Sequence, residues 1–175
     1  WTKNCKVVYA GSSSHHNGMY ENPYTFSKEI GEQLCEMYHK VYGLETRICR
    51  FYNVYGDSQL LEGEYSAVVG IFLEQYKHNK PLTITGDGEQ RRDFTHVDDI
   101  VDGMFLSATK EFGTYELGSG VNYSINELAD MFGKDYPKEY IDERTGEARE
   151  TLCEKPDLLL IKNNLEDYIK GEISE

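Results

Sequence analysis

The spacing of apolar residues along the chain predicts strands that alternate with helices. The run Lys6–Ala10 is rich in β-branched and aromatic residues and stops at Gly11 and a serine cluster, as a buried parallel strand does. After Pro23, apolar residues recur at helical spacing until Gly43, which predicts a helix over Tyr24–Tyr42. Later apolar runs predict strands over Thr46–Asn53, Leu82–Thr85 and Thr114–Leu117, and helices over Ala67–His78, Val97–Ala108 and Ile125–Phe132.

This alternation of strand and helix predicts an α/β fold. In such sheets the loops that follow the strand C-termini carry the chemistry. Ser124 and Glu127 have the spacing of a capping box that opens the helix at Ile125, whereas the amphipathic tail after Lys155 is left without an assigned element. No repeat or Gly/Ser linker divides the chain, so a smaller lobe is expected to be interleaved with the sheet.

Composition and charge narrow the class of protein. A net charge of -13 would repel a polyanion, so nucleic-acid binding is not expected. No apolar run reaches the roughly 18 residues of a membrane helix. The four cysteines are scattered without a CxxC pair or zinc spacing, which favours free thiols in a reducing cytoplasm and no metal site. The start at Trp1, without Met or a signal peptide, indicates a fragment of a longer protein.

The first pattern with chemical meaning is a tyrosine and a lysine four residues apart. Tyr24 and Lys28 share one face of the predicted helix. A free phenol has a pKa of about 10, so a tyrosine acts as a base near neutrality only beside a positive charge, which Lys28 would supply. Such pairs are common on solvated faces, but here a strand ending at Ser12, Ser13 and Ser14 precedes the helix. A polar loop that bonds its own backbone is the alternative interpretation of the serines.

Three later segments extend the pattern. Arg50–Gly56 reads Arg-Phe-Tyr-Asn-Val-Tyr-Gly, which on its own also fits a buried strand whose Asn caps a turn. Gly86–Asp99 joins a Gly-Asp-Gly turn to Arg-Asp-Phe-Thr-His-Val-Asp-Asp, and Arg144–Arg149 reads Arg-Thr-Gly-Glu-Ala-Arg. Local arginines on an acidic chain favour binding of a small phosphorylated ligand.

Together and in this order, these segments resemble the NAD-dependent epimerase/dehydratase family of extended short-chain dehydrogenases/reductases, and its nucleotide-sugar epimerases in particular. The resemblance implies the C-terminal part of a Rossmann-like doubly wound parallel sheet, with an interleaved small α/β substrate-binding lobe. Residues 1–60 would be the remnant of the NAD-binding domain that carries the catalytic groups. Residues 61–175 would mainly form the substrate lobe, with 90–120 returning to the Rossmann sheet.

The same resemblance implies roles for individual residues. Ser12, with Ser13 as the fallback, would act with Tyr24 and Lys28 in catalysis, and Ser12, Tyr24 and Lys28 would also contact NAD. The arginines would bind the nucleotide diphosphate, and the acidic residue of the last segment would bind a ribose hydroxyl. The substrate-binding residues so implied are Ser13, Asn53, Arg92, Arg144, Glu147 and Arg149.

Other residues of these motifs are expected to have no direct role in binding or catalysis. Asp93 and Asp99 would be structural. His15 and His16 are adjacent, so they point in different directions, and no third ligand stands at metal spacing.

The reaction implied is epimerisation, most often at C4. Tyr24 would deprotonate a sugar hydroxyl as hydride moves to NAD, Ser12 would hydrogen-bond that oxygen, and the keto sugar would take the hydride back on its other face. UDP-sugars are the commonest substrates, and a homodimer through the helix of Tyr24 is the family's habit. A dehydratase or reductase is a weaker alternative, because Ser13 and Ser14 stand where dehydratases carry an Asp-Glu pair.

One feature of the family is absent from the sequence. None of the sixteen glycines forms the G-x-x-G-x-x-G loop that would hold the cofactor pyrophosphate, and its acidic ribose partner is missing too. An inactive truncated product or a nucleotide-sugar-binding remnant is therefore a second hypothesis.

Overall fold

The computed structural model describes residues 5–61, 63, 66–143, 146 and 148–174. A 3₁₀ helix over Ser13–Asn17 follows the first strand. The strands and α-helices are β1 (Lys6–Ser12), α1 (Pro23–Tyr42), β2 (Glu45–Phe51), β3 (Asn53–Tyr55), α2 (Val68–Lys77), β4 (Leu82–Thr85), β5 (Arg91–His96), α3 (Val97–Ser107), β6 (Gly113–Leu117), β7 (Asn122–Ser124), α4 (Ile125–Asp130), β8 (Lys138–Ile141) and α5 (Leu165–Glu172).

The first sheet is parallel and has helices on both faces. Its strand order is β1-β2-β6. Consecutive residues of a strand point to opposite faces. On β2, Arg50 contacts Glu32 of α1, whereas the Cys49 thiol lies 3.2 Å from the Ser107 hydroxyl of α3. α1 and α3 therefore cover opposite faces, and the expected α/β fold with a doubly wound parallel sheet is confirmed.

The second part of the chain builds a separate group of strands. β5 pairs with β3 in parallel and with β7 in antiparallel orientation, and β4 pairs with β8 in parallel. α2, α4 and α5 contribute the helical side of the core beneath these strands. That core is apolar and fully enclosed at its centre, with Phe72, Leu82, Ile84, Leu128 and Ile169 each at 0 % exposure.

One predicted strand is divided in the structure, and β5 is a strand that the sequence did not predict. The strand predicted over Thr46–Asn53 is wrong as a single element, because the chain breaks at Tyr52: β2 pairs in the first sheet and β3 in the second. β5 was not predicted, since Arg-Arg-Asp-Phe-Thr-His lacks an apolar face. Its buried polar positions, Asp93 and Thr95, are instead satisfied by hydrogen bonds.

The helix boundaries agree with the capping signals. The Asn22 side chain accepts a bond from the Thr25 amide at the start of α1, and Gly43 ends that helix at φ 66° in the left-handed region. Both bonds of the predicted Ser124–Glu127 capping box are present. Within the described residues, no helix is long and apolar enough to cross a bilayer.

The division into two domains stays a prediction. Residues 90–120 contain two strands that pair in different sheets. β6 pairs in the first sheet, and β5 pairs in the second group of strands. The 53–55 strand likewise pairs in the second group.

Candidate active site

The serine turn at the end of β1 is fixed by its own backbone. The Ser12 hydroxyl accepts a hydrogen bond from the Ser14 amide at 3.2 Å and so caps the 3₁₀ helix. Ser12 is buried, and Ser13 lines a cleft of about 450 Å³ together with Tyr52, Thr151 and other residues of the 150–155 segment. The hydrogen bond between the Ser14 amide and the Ser12 hydroxyl is the local bond that the polar-loop interpretation predicted. The same bond fixes the Ser12 side chain at the C-terminal end of β1.

Tyr24 and Lys28 lie on the first turns of α1, beside β1. The Lys28 ammonium donates a hydrogen bond to the Ala10 carbonyl at 3.0 Å and lies 5.7 Å from the centre of the Tyr24 ring. Tyr24 is exposed, so its phenol is accessible to a ligand. The structure therefore brings the two predicted residues together, and it anchors Lys28 to β1 two residues before Ser12.

Tyr9 is a second tyrosine beside the same lysine. Its ring centre is 5.8 Å from the Lys28 ammonium, and its hydroxyl donates to the Lys28 carbonyl. Burial, followed by the charges of Cys35 and Glu32, raises the pKa of the Tyr9 phenol. Tyr24 is the exposed tyrosine of the two, so it is the one that a ligand can reach.

An ion pair that sequence reasoning missed joins α1 to the sheet. Arg50 donates to both oxygens of Glu32, at 2.7 Å from Nη2 and 3.1 Å from Nε, and to Glu116 at 3.1 Å. Burial alone would lower the pKa of Arg50, but the two carboxylates outweigh it and raise that pKa. The pair fixes the helix of Tyr24 and Lys28 against β2. No local signal reveals it, because 18 residues separate Glu32 from Arg50.

Asn53 and Arg92 line one cleft, on the strands β3 and β5. The cleft has a volume of about 220 Å³, with apolar walls and the polar side chains of Ser66 and Thr85. The Asn53 amide donates to the Asp93 carbonyl at 3.2 Å and to the Thr151 hydroxyl at 3.1 Å. Because Thr151 also lines the cleft of Ser13, these bonds place Asn53 between the two clefts.

The two aspartates expected to be structural are occupied by backbone donors. Asp93 is fully buried, and its carboxylate accepts bonds from the amides of Ser119, Gly120 and Cys153 at 2.8–3.1 Å. Asp99 likewise accepts bonds from the 162 and 163 amides. Both carboxylates tie distant loops to β5 and α3.

The last arginine loop is only partly described. Arg144 and Glu147, predicted to bind substrate, lie outside the described residues. Arg149 forms a two-pronged ion pair with Asp87 of the Gly-Asp-Gly turn, at 2.8 and 2.9 Å. The Arg149 hydrogen bonds lower the pKa of Asp87 to about 2. Arg149 would have to leave Asp87 before it could bind a phosphate.

Comparison with known proteins identifies the family. Residues 5–118 match the NAD dependent epimerase/dehydratase family. The chain is 36% identical over 110 residues to a putative UDP-glucose 4-epimerase of Methanocaldococcus jannaschii, covering 63% of this chain and 36% of that protein. It is 33% identical over 160 residues to a UDP-glucuronate 4-epimerase of Thermodesulfobacterium geofontis, covering 84% of this chain and 48% of that protein.

A solved structure agrees with these sequence matches. The crystal structure of UDP-glucuronic acid 4-epimerase from Bacillus cereus, in complex with UDP-glucuronic acid and NAD, superposes with a TM-score of 0.81 at 27% identity. The match covers 97% of this chain and 60% of that chain. The chain therefore belongs to the NAD-dependent epimerase/dehydratase family, and it spans less than two thirds of the length of each of these relatives.

Proposed function

We propose that this chain forms the catalytic and substrate-binding part of an NAD-dependent nucleotide-sugar 4-epimerase. One observation carries the proposal: the exposed Tyr24 phenol lies beside the Lys28 ammonium, which is itself bonded to the strand that ends at Ser12. A general base, the charge that supports it and a hydroxyl donor are thereby assembled at the C-terminal edge of a parallel sheet, where α/β enzymes bind their ligands.

The residues present fit one end of an NAD site. Among the described residues, β1 pairs only with β2, so its other edge and the face of Tyr24 beside it are uncovered. Ser12, Tyr24 and Lys28 would hold the reactive end of the cofactor, whose nicotinamide accepts and returns a hydride when bound. The glycine loop for the pyrophosphate is not in this sequence.

In the proposed reaction, each residue of this group has a distinct task. Tyr24 takes the proton of a sugar hydroxyl and later returns it. The Lys28 charge stabilises the negative oxygen of Tyr24 while it lacks that proton. Ser12 donates a hydrogen bond from its O–H to the sugar oxygen, while its oxygen still accepts the bond from the Ser14 amide.

The proposed substrate is a UDP-sugar inverted at C4. The relatives named above are a putative UDP-glucose 4-epimerase and a UDP-glucuronate 4-epimerase. In this chain, the apolar cleft of Asn53 and Arg92 suits a nucleotide, and the planar guanidinium of Arg92 suits its diphosphate. Ser13 would contact the sugar in the neighbouring cleft, and Arg144, Glu147 and Arg149 would bind the diphosphate and ribose.

A second candidate is a nucleotide-sugar-binding protein without turnover, which needs the cleft of Asn53 and Arg92 but not the pair of Tyr24 and Lys28. Calorimetry with NAD and with UDP-glucose separates the two functions. Binding of both ligands with inversion at C4 supports the epimerase, whereas binding of UDP-glucose alone supports the second candidate.

The substrate cleft has its own test. Arg92→Lys is expected to weaken UDP-glucose binding about tenfold, because a lysine cannot bind two phosphate oxygens at once. Arg91→Lys is the matched control, since Arg91 is the neighbour on β5 and bonds Asn122 and Glu127 instead. Equal affinities for the two variants would contradict the placement of the diphosphate.

We further propose a cytoplasmic homodimer. The outer face of α1 exposes an apolar stripe, which would pair with the same helix of a second copy. The four cysteines are free thiols, as a reducing compartment requires. The stripe consists of Phe26, Ile30, Leu34, Met37 and Val41. Sedimentation of the wild type and of Leu34→Glu tests the pairing, and a monomeric wild type would contradict it.

A further inference from the structure

A histidine and two glutamates converge beside the serine turn. His15 belongs to the 3₁₀ helix, and Glu29 and Glu32 are three residues apart on α1, so both carboxylates face the histidine. His15 Nδ1 lies 2.5 Å from Glu29 Oε2 and 3.8 Å from Glu32 Oε2. The three ligand atoms all lie within 4.8 Å of one another.

The three ligand atoms are close enough together to share one ion. An ion bound at about 2.0–2.2 Å from each ligand needs ligand atoms roughly 3.0–3.5 Å apart. The ligand atoms of His15 and Glu32 lie near that spacing, at 3.8 Å, and those of His15 and Glu29 are closer, at 2.5 Å. The His15 and Glu29 side chains are partly exposed, so both can shift to admit an ion.

The charges around the cluster sum to a negative value, which a divalent ion would neutralise. Arg50 contacts Glu32, but it also contacts Glu116, so its single positive charge is shared by two carboxylates. With Glu29, the group holds three carboxylates and one guanidinium, a balance of about two negative charges with neutral histidine. Arg50 donates to both Glu32 oxygens, including the Oε2 that faces His15, so it holds the Glu32 carboxylate in place, as outer partners of metal ligands do.

We propose that His15, Glu29 and Glu32 form a binding site for a divalent transition-metal ion, with Zn²⁺ as the first choice. One imidazole nitrogen and two carboxylate oxygens suit zinc, whereas Mg²⁺ prefers oxygen ligands alone. Sequence spacing did not reveal the site, because the fold supplies the carboxylates from a separate helix. His16 takes no part, since it faces Glu116.

The ion would connect two elements of the candidate active site. Its histidine lies three residues after Ser12, and Glu29 directly follows Lys28. Binding would therefore tie the serine turn to α1, independently of whether the chain turns over a nucleotide sugar.

The test is calorimetry of the full chain with ZnCl₂ after removal of metals with EDTA. The background is Cys5→Ser, because Cys5 is a free, exposed thiol and thiolates are zinc ligands. We expect one Zn²⁺ per chain, loss of that binding in His15→Ala, and affinity about tenfold or more lower in Glu29→Gln. Glu29→Gln keeps the size of the side chain, so circular dichroism that matches the wild type shows that the loss is not unfolding.

Two controls separate this site from surface binding. His78 and Glu74 form an exposed histidine–glutamate pair on α2 at 3.0 Å, so His78→Ala should leave zinc binding unchanged. MgCl₂ should give no heat. The proposal is overturned if Zn²⁺ does not bind, if His15→Ala binds as the wild type does, or if His78→Ala removes the binding.

Discussion

Glu32→Gln tests whether the buried ion pair fixes α1 to the sheet. The Glu32 side chain is 5% exposed and the Arg50 side chain 13%, so both charges are largely removed from water. Removing one member of a buried pair costs about 3–5 kcal/mol, because the other charge is left without its partner. Arg50 keeps Glu116 at 3.1 Å, which places the expected loss at the lower end, about 3 kcal/mol.

The assay is thermal and urea unfolding followed by circular dichroism, with EDTA present so that bound metal does not contribute. A loss of about 3 kcal/mol corresponds to a fall in Tm of roughly 6–12 °C in a chain of this size. Glu36→Gln is the control on the same helix, because Glu36 pairs with Lys40 across an exposed turn. That pair contributes about 0.3–0.5 kcal/mol, or roughly 1 °C. If the two variants unfold within 1 °C of each other, the reasoning about Glu32 is wrong.

Two further changes test the loops and the capping box. The Asp93 carboxylate accepts hydrogen bonds from backbone amides such as that of Ser119, and Asp93→Asn would point an NH₂ donor at them. The free energy of unfolding, measured with urea, should fall by about 3 kcal/mol, and a fall of less than about 1 kcal/mol would contradict this. Bonds from Ser124, followed by the Arg91 charge, lower the pKa of Glu127. The ionised Glu127 carboxylate therefore stabilises the fold at pH values above its unfolded-state pKa of about 4.3. This stabilisation is lost as the pH falls through the lower pKa of the folded state. The stability difference between the wild type and Glu127→Gln should shrink between about pH 5 and pH 3; a difference independent of pH would refute it.

The sequence predicted the parts of the site that depend on local spacing. Tyr24 and Lys28 are four residues apart on a helix, so their proximity follows from helix geometry alone. The strand before Ser12 and the end of the helix at Gly43 are equally local features. The roles assigned to these residues stay predictions, because proximity alone does not show proton transfer.

The parts that the sequence did not predict depend on contacts between distant segments. Arg50 and Glu32 meet only because β2 lies under α1. β5 has no apolar face, so hydrophobic periodicity does not predict it, although Asp93 joins it to two loops, at 119–120 and at 153. Arg149 was predicted to reach a phosphate, but its partner in this structure is Asp87, an ion pair across 62 residues that no local pattern shows.

Tyr24→Phe, compared with the wild type, tests the central claim most directly. Both proteins are longer versions of the chain that include the G-x-x-G-x-x-G loop, and they are supplied with NAD and UDP-glucose. Ligand binding is measured by calorimetry, and inversion at C4 is followed by NMR of the sugar. We predict that the wild type forms the C4 epimer, and that Tyr24→Phe binds UDP-glucose equally well but forms none, since only the proton-transfer group is removed. Equal rates in the two proteins, or no product from a wild type with both ligands bound, would contradict the proposal that Tyr24 catalyses epimerisation.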